Sequence, residues 1–136
     1  VDNPVAMSVG LAVQEILEEE KIIARAADTG AYLLQAAREL LCRHPIVGDV
    51  RGLGMLMGIE LVSARNNKKP FSEDVLIADR LNERFRKYGL ILHMSGNIIN
   101  IGPPICITRE EVDEIVHALD LSLWEVEGEL GIAQLA

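Results

Sequence analysis

Side chains able to act as nucleophiles, bases or metal ligands are scattered along this 136-residue chain. Its three histidines, His44, His93 and His117, stand at separations that match no metal-ligand pattern. Ser95 and Ser122 have no base close to them in the sequence, so neither is supported as an activated nucleophile. Residue types and spacing therefore predict no self-contained catalytic set and no metal site.

The two cysteines, Cys42 and Cys106, are far apart and belong to no CxxC or Cys/His motif. This arrangement is typical of neither a zinc site nor a disulfide framework. Free cysteine often serves as a small buried apolar residue. We therefore expect both cysteines to lie in the core of a protein kept in a reducing compartment.

The glycine-rich segment RGLG, residues 51–54, allows two interpretations. One is a loop that cradles phosphate, but neither GxGxxG nor GxxxxGK occurs here after a strand. The other is close passage of two chain segments, for which glycine is suited because it has no side chain. The missing motif favours close packing.

Charge and hydropathy exclude several classes of protein. The net charge is -8, and no basic run is longer than Lys68-Lys69, which argues against nucleic acid as a partner. No apolar stretch approaches the roughly 20 residues of a membrane span. The first ten residues, VDNPVAMSVG, lack the basic-then-apolar order of a signal peptide. We therefore expect a cytoplasmic protein with neither a nucleic-acid nor a membrane partner.

Helical signals dominate the first third of the chain. Asp2 or Asn3 can cap a helix that starts at Pro4, and the apolar spacing continues this helix to about Glu19. A long amphipathic helix is predicted over residues 21–44. Gly30 lies inside it, where glycine costs roughly 1 kcal/mol relative to alanine, so we expect Gly30 to pack closely against a neighbouring segment.

Strand and helix signals alternate in the remainder. Alternating apolar residues over 46–62 predict one strand, Ser72 is a candidate cap for a helix that ends near Gly89, and two short strands at 90–93 and 98–101 should flank a turn. Thr108 begins a capping box before the last helix. The order predicts an α+β fold in which helices back a small, mostly antiparallel sheet.

The order of four motifs resembles a known family. NPVAMSVGLAVQEILEEE, HPIVGDVRGLGMLMGIELV, YGLIL and IGPPICITREEVDEIVHAL are similar to the C-terminal part of class III (ornithine-aminotransferase-type) aminotransferases. These are homodimeric pyridoxal phosphate enzymes of fold type I that move an amino group between an amine or amino acid and a 2-oxo acid. The resemblance implies that residues 1–20 end the large cofactor domain and that residues 21–136 form the small C-terminal domain.

Asn100 is the substrate-binding residue that this resemblance implies. In such enzymes the strand before the double proline faces the substrate cleft, and many relatives carry there an arginine, in an R-x-x-P-P arrangement, that grips the substrate carboxylate. Here that position is Asn100, followed by Pro103 and Pro104. Asparagine offers neutral hydrogen bonds but no charge, so the resemblance implies that the substrate is held differently or is a different amine.

The family's Schiff-base lysine, the aspartate that pairs the cofactor ring and the phosphate cup would all lie upstream of residue 1. No lysine of this chain stands in a matching context, so we expect the fragment alone to be non-catalytic and to need an upstream cofactor domain as its partner. Apart from the resemblance, the same residues also fit a stand-alone binding or regulatory α+β module.

Overall fold

A computed structural model describes residues 3–132 of the chain. The first helix, α1, spans Pro4–Glu19. The Asn3 side-chain oxygen accepts hydrogen bonds from the backbone N–H groups of Val5 at 3.1 Å and Ala6 at 3.4 Å. The predicted start and end of this helix are therefore confirmed with Asn3 as the cap, while Asp2 lies outside the described residues.

The second helix, α2, spans Ile22–Arg43 and begins after Lys21. Lys21 has a φ of 50°, a left-handed conformation that changes the direction of the backbone between the two helices. Gly30 lies on its buried face, and a Cβ atom there would lie 2.2 Å from the carbonyl oxygen of Gly54. Only glycine fits such a contact with backbone, which confirms the prediction for Gly30. It also identifies the glycines of residues 51–54 as a close-packing element.

Residues 46–62, predicted as one strand, form a hairpin. Strand β1 is Val47–Leu53, strand β2 is Leu56–Leu61, and Gly54 turns the chain between them with a φ of 58°. The prediction of a single strand was wrong because the apolar alternation runs into the turn, where Met55 is also buried. A periodic pattern alone does not show where the chain reverses.

The next helix begins later than predicted. Ser72 precedes a short 3-10 turn at Glu73–Val75 but makes no capping hydrogen bond with its side chain. Leu76 then adopts a left-handed conformation, and α3 spans Ile77–Lys87. Ser72 was therefore wrong as the cap of this helix, while Gly89, with a φ of 81°, follows its C-terminus as expected.

Two short strands and a last helix complete the fold. Strand β3 is His93–Ser95, three residues later than the predicted start, and β4 is Ile98–Ile101. Helix α4 is Arg109–Glu129, and Thr108 with Glu111 forms the predicted capping box. The four strands pair antiparallel in the order β1-β2-β4-β3. The predicted α+β class with a small antiparallel sheet is confirmed.

The core lies on one face of this sheet. Alternate residues of β2 and β4, including Ile59 and Ile99, point into it, and α2 packs against both β1 and α4. Phe85 on α3 and Leu123 on α4 are also fully buried there. The helices thus cover one face of the sheet, and the other face is left open by residues 3–132. Within the described residues, no helix is long and apolar enough to cross a membrane.

Candidate functional site

The open face of the sheet carries a row of residues at matching register positions. Arg51 of β1 pairs with Gly58 of β2, Gly58 pairs with Asn100 of β4, and Asn100 pairs with His93 of β3. Directly paired residues of antiparallel strands project from the same face. Because Ile99, the neighbour of Asn100, is buried, Asn100 itself points away from the core.

An open depression of about 800 Å³ lies at the end of this row. Its lining is mostly apolar, and Asn100 and His93 supply the polar side chains among the described residues that form it. Gly58 forms part of the floor without a side chain. A largely apolar concavity with a few polar groups is the usual form of a small-molecule site.

The double proline sets the edge of the depression. The ladder of β4 ends at Ile101, and Pro103 and Pro104 follow in the lining. Proline has no N–H to donate, so it cannot continue the pairing with β2. The N–H of Ile107 then donates to the carbonyl of Pro104 at 3.1 Å, closing a turn before α4. The strand therefore ends before the prolines, and the chain turns from there toward α4.

Asn100 is exposed, and its Nδ2 donates to the backbone carbonyl of His93 at 3.3 Å. The structure therefore places Asn100 where a bound molecule could reach it. Contact between Asn100 and a substrate remains a prediction.

Arg51, the cation of the register row on the open face, is already paired with acidic side chains. Nη1 of Arg51 lies 3.0 Å from the Asp49 carboxylate and 2.7 Å from the Glu60 carboxylate. The hydrogen bonds to Glu60 and then Asp49 raise the pKa of Arg51 above its ordinary value. Since two carboxylates already neutralise this guanidinium, Arg51 is poorly suited to replace the missing carboxylate anchor.

The described residues do not suit the pyridoxal cofactor. All four lysines, Lys21, Lys68, Lys69 and Lys87, are exposed. Hydrogen bonding to Glu125 raises the pKa of Lys87, whereas an amine that forms a Schiff base needs a lowered pKa. Within residues 3–132, no group of three or more potential metal ligands could hold an ion.

A buried charged cluster lies far from the depression, and sequence reasoning missed it. His44 follows the C-terminus of α2 and is only 2% exposed. Its Nδ1 lies 2.9 Å from a carboxylate oxygen of Glu127, and its Nε2 lies 2.7 Å from one of Asp120. Glu127 is fully buried and also accepts from the N–H of Ile46 at 3.3 Å. Glu127 continues the i, i+4 series of Leu119 and Leu123 on α4. A carboxylate on this apolar stripe was the sequence signal that could have predicted a buried charge.

This cluster favours the charged form of His44. Burial lowers the pKa of the imidazole, but hydrogen bonds to Glu127 and Asp120 outweigh it and raise the pKa above its ordinary value. Arg43 holds the second oxygen of Asp120 at 2.8 Å. Arg65 donates to the carbonyl oxygens of His44 at 2.6 Å and of Val47 at 3.0 Å. The C-terminus of α2 is thus fixed by charges on α4 and on the chain after β2.

The remaining singled-out residues lie apart. Cys42 and Cys106 are both exposed, so their prediction as core residues was wrong. Cys42 lies on the outer side of α2, and Cys106 lies in the loop that the prolines create. Ser122 is buried and donates to the carbonyl of Ala118 at 2.7 Å, which leaves it no catalytic geometry. His117 is exposed on α4.

Comparisons with known proteins agree on one family. The model of the aminotransferase class-III family matches residues 1–123. The chain is 36% identical over 124 residues to a mitochondrial alanine–glyoxylate aminotransferase 2 homolog of Arabidopsis thaliana, covering 89% of this chain and 25% of that protein. It is 36% identical over 131 residues to the isoleucine 2-epimerase of Lentilactobacillus buchneri, covering 96% and 29%.

A solved structure, the omega transaminase from Pseudomonas jessenii in complex with PMP, superposes with a TM-score of 0.87 at 30% identity, covering 94% of this chain and 28% of that one. The chain therefore spans between 25% and 29% of the length of these three proteins.

Proposed function

Since this chain belongs to the aminotransferase class-III family, we propose that it forms the C-terminal domain of a pyridoxal-phosphate-dependent aminotransferase. In the complete enzyme this domain shapes the substrate side of the cleft, and an amino group moves between an amine or amino acid and a 2-oxo acid. The observation that supports this most directly is the apolar depression at the end of β4, lined by Asn100 and the double proline.

The cofactor belongs to a domain upstream of this chain in our proposal. That domain would contribute the lysine and the phosphate contacts, because the exposed lysines of this chain do not suit the task. Pyridoxal phosphate supplies an electron sink for the bond changes at the amine. The residues of this chain would orient the substrate and keep water away from it.

Helix α1 is proposed to complete the cofactor domain, with residues 21–136 forming the small domain. None of its described residues is buried, and Val9, Val13 and Ile16 are all about half exposed or more. A helix with so many exposed apolar residues has lost or lacks its partner surface. Amide hydrogen exchange along α1 should be fast in the 136-residue chain and slow in the complete enzyme. Fast exchange in both would contradict this assignment.

The proposal includes a second protomer, because the class III aminotransferases that the sequence resembles are homodimeric. Sedimentation equilibrium of the complete enzyme should give twice the protomer mass, and a monomer that is fully active would contradict it.

We also propose a cytoplasmic location, which is supported by two exposed, unpaired cysteines that suit a reducing compartment. Fractionation of cells that carry the natural gene would test the location.

Joining this chain to the upstream segment of its own gene tests the proposed function. The complete protein should transfer amino groups from alanine to glyoxylate, or from a simple amine to pyruvate or glyoxylate, and the 136-residue chain alone should not. The assay should also follow the enantiomer ratio of the amino acid, since one relative is named an epimerase. A complete, folded protein with bound cofactor and no transfer to any of these acceptors would overturn the proposal.

A further inference from the structure

The side-chain amide of Asn100 has a defined orientation. One of its two polar atoms lies 3.3 Å from the backbone carbonyl oxygen of His93. A carbonyl oxygen only accepts hydrogen bonds, so that atom must be the amide nitrogen, since the flipped amide would oppose two acceptors. The pairing of Asn100 with His93 in the sheet keeps this carbonyl beside the amide.

The amide oxygen of Asn100 therefore occupies the other branch and points away from β3. Across β4 from His93, the residue paired with Asn100 is Gly58, which has no side chain to fill the space. Among the described residues, no group donates a hydrogen bond to this oxygen. The oxygen is thus an available acceptor on the lining of the depression, and the second N–H of the same amide, which His93 does not use, is an available neutral donor beside it.

The surroundings of this acceptor disfavour an anion. The lining described here contains neither lysine nor arginine. The nearest cation along the register row, Arg51, is neutralised by Asp49 and Glu60. A carboxylate could accept only the one remaining neutral N–H and would face the lone pairs of the amide oxygen without a compensating charge. A hydroxyl group can accept that N–H and donate to the amide oxygen at the same time.

We propose that Asn100 selects substrates that present a group able both to donate and to accept a hydrogen bond where other family members bind a carboxylate. The favoured class is amines with a hydroxyl group on the neighbouring carbon, that is, amino alcohols. This inference rests on the proposed function, because it assumes that the depression is the substrate side of the cleft. It adds the polarity of the recognised group, which the replacement of a charged residue alone does not determine.

Four matched amino donors test this polarity in the complete enzyme. Alaninol, sec-butylamine and 1,2-diaminopropane differ only in the group on the carbon next to the amine-bearing carbon, which is hydroxyl, methyl or a second amine, and alanine replaces that whole carbon with a carboxylate. The ratio of kcat/KM for alaninol to that for sec-butylamine should be roughly three- to tenfold higher in the wild type than in Asn100→Leu. The double ratio cancels the intrinsic difference between the two amines. The diamine separates a general preference for donors from a preference for hydroxyl.

Arg51→Gln is the matched control, because Arg51 stands in the same register row but does not line the depression. The alaninol to sec-butylamine ratio should stay at the wild-type value in this variant, even if both rates fall. An equal ratio in wild type and Asn100→Leu, with transamination intact, would overturn the inference and leave the proposed function standing. A higher kcat/KM for alanine than for alaninol in the wild type would also overturn it. Absence of transamination from all four donors would overturn both.

Discussion

The two polar groups on opposite faces of the sheet differ in how completely their atoms are satisfied. On the helical side, both ring nitrogens of His44 contact carboxylates, and Glu127 is fully buried with a further backbone partner. On the open side, Asn100 makes one hydrogen bond to a neighbouring strand and keeps an acceptor available. Both groups stand on regular elements or at their ends, so the backbone does not explain the difference.

The comparison shows which polar residues have hydrogen-bonding capacity left to bind a ligand. A buried polar group must find its partners within the protein, because an unpaired one costs free energy. Once satisfied, it has nothing left for a substrate and can only hold elements together. An exposed residue in an apolar depression does not carry this penalty. Its remaining hydrogen-bonding capacity is available for recognition, as we propose for Asn100.

The largest effect expected is on stability, from Glu127→Ala in the buried cluster of His44, Asp120 and Glu127, called the closed cluster below. Removing this carboxylate leaves the His44 imidazolium buried with one partner lost, and the free energy of unfolding should fall by about 3–5 kcal/mol. Urea denaturation of the 136-residue chain measures the change. Glu127→Gln is the control, since it keeps the volume and an acceptor for the Ile46 N–H. A loss below about 1 kcal/mol for the alanine variant would show that the cluster does not hold α2 against α4.

The next largest effect is on specificity, from Asn100→Arg in the complete enzyme. A new charge-assisted contact with a substrate carboxylate should raise kcat/KM for alanine relative to ethylamine by about ten- to a hundredfold. Because Asn100 is exposed, the added charge should cost little stability. An unchanged ratio with unchanged unfolding would show that Asn100 lies outside the cleft.

Alkaline pH should weaken the contacts of His44 in the closed cluster and leave the hydrogen bond of Asn100 unchanged. Since the pKa of His44 is raised in the folded protein, its stabilising charge is fully present below the unfolded pKa of about 6.5 and is lost as pH rises through the folded value. The free energy of unfolding should then fall with a slope of at most about 1.4 kcal/mol per pH unit. The charged groups that contact His44 are Asp120, Glu127 and Arg65, and Arg43 contacts Asp120.

His44→Gln is the variant that isolates this pH effect. Comparing urea midpoints of wild type and His44→Gln between neutral and mildly alkaline pH should show the slope in wild type alone. Equal slopes in the two proteins would mean that another group titrates and that His44 is not held as the imidazolium.

The smallest effect expected is on stability, from Asn100→Leu in the 136-residue chain. This change removes a single exposed hydrogen bond to His93, so the free energy of unfolding should change by less than about 0.5 kcal/mol. The same urea titration used for Glu127→Ala gives the value. If Asn100→Leu lowered the free energy of unfolding as much as Glu127→Ala, Asn100 would be a structural residue. It would then not differ in role from the cluster of His44, Asp120 and Glu127.

Local signals predicted the helices well, because the capping and spacing that define them act over a few residues. Asn3 before Pro4 and the Thr108 capping box mark helix starts that the structure confirms. The strands were harder. The hairpin over residues 46–62 was predicted as one strand, since the burial of Met55 hides the turn at Gly54. Ser72 was wrong as a cap because the chain first makes a separate 3-10 turn.

The sequence alone determined the fold class, the family and the position of Asn100 before the double proline, because order and spacing of motifs are properties of the chain itself. Only the tertiary structure showed that His44 is enclosed by Asp120 and Glu127, which lie 76 and 83 residues away. It also decided which polar atom of Asn100 is occupied. Such pairings depend on how α4 and β3 pack in space, and no local pattern records the distance between residues so far apart in the chain.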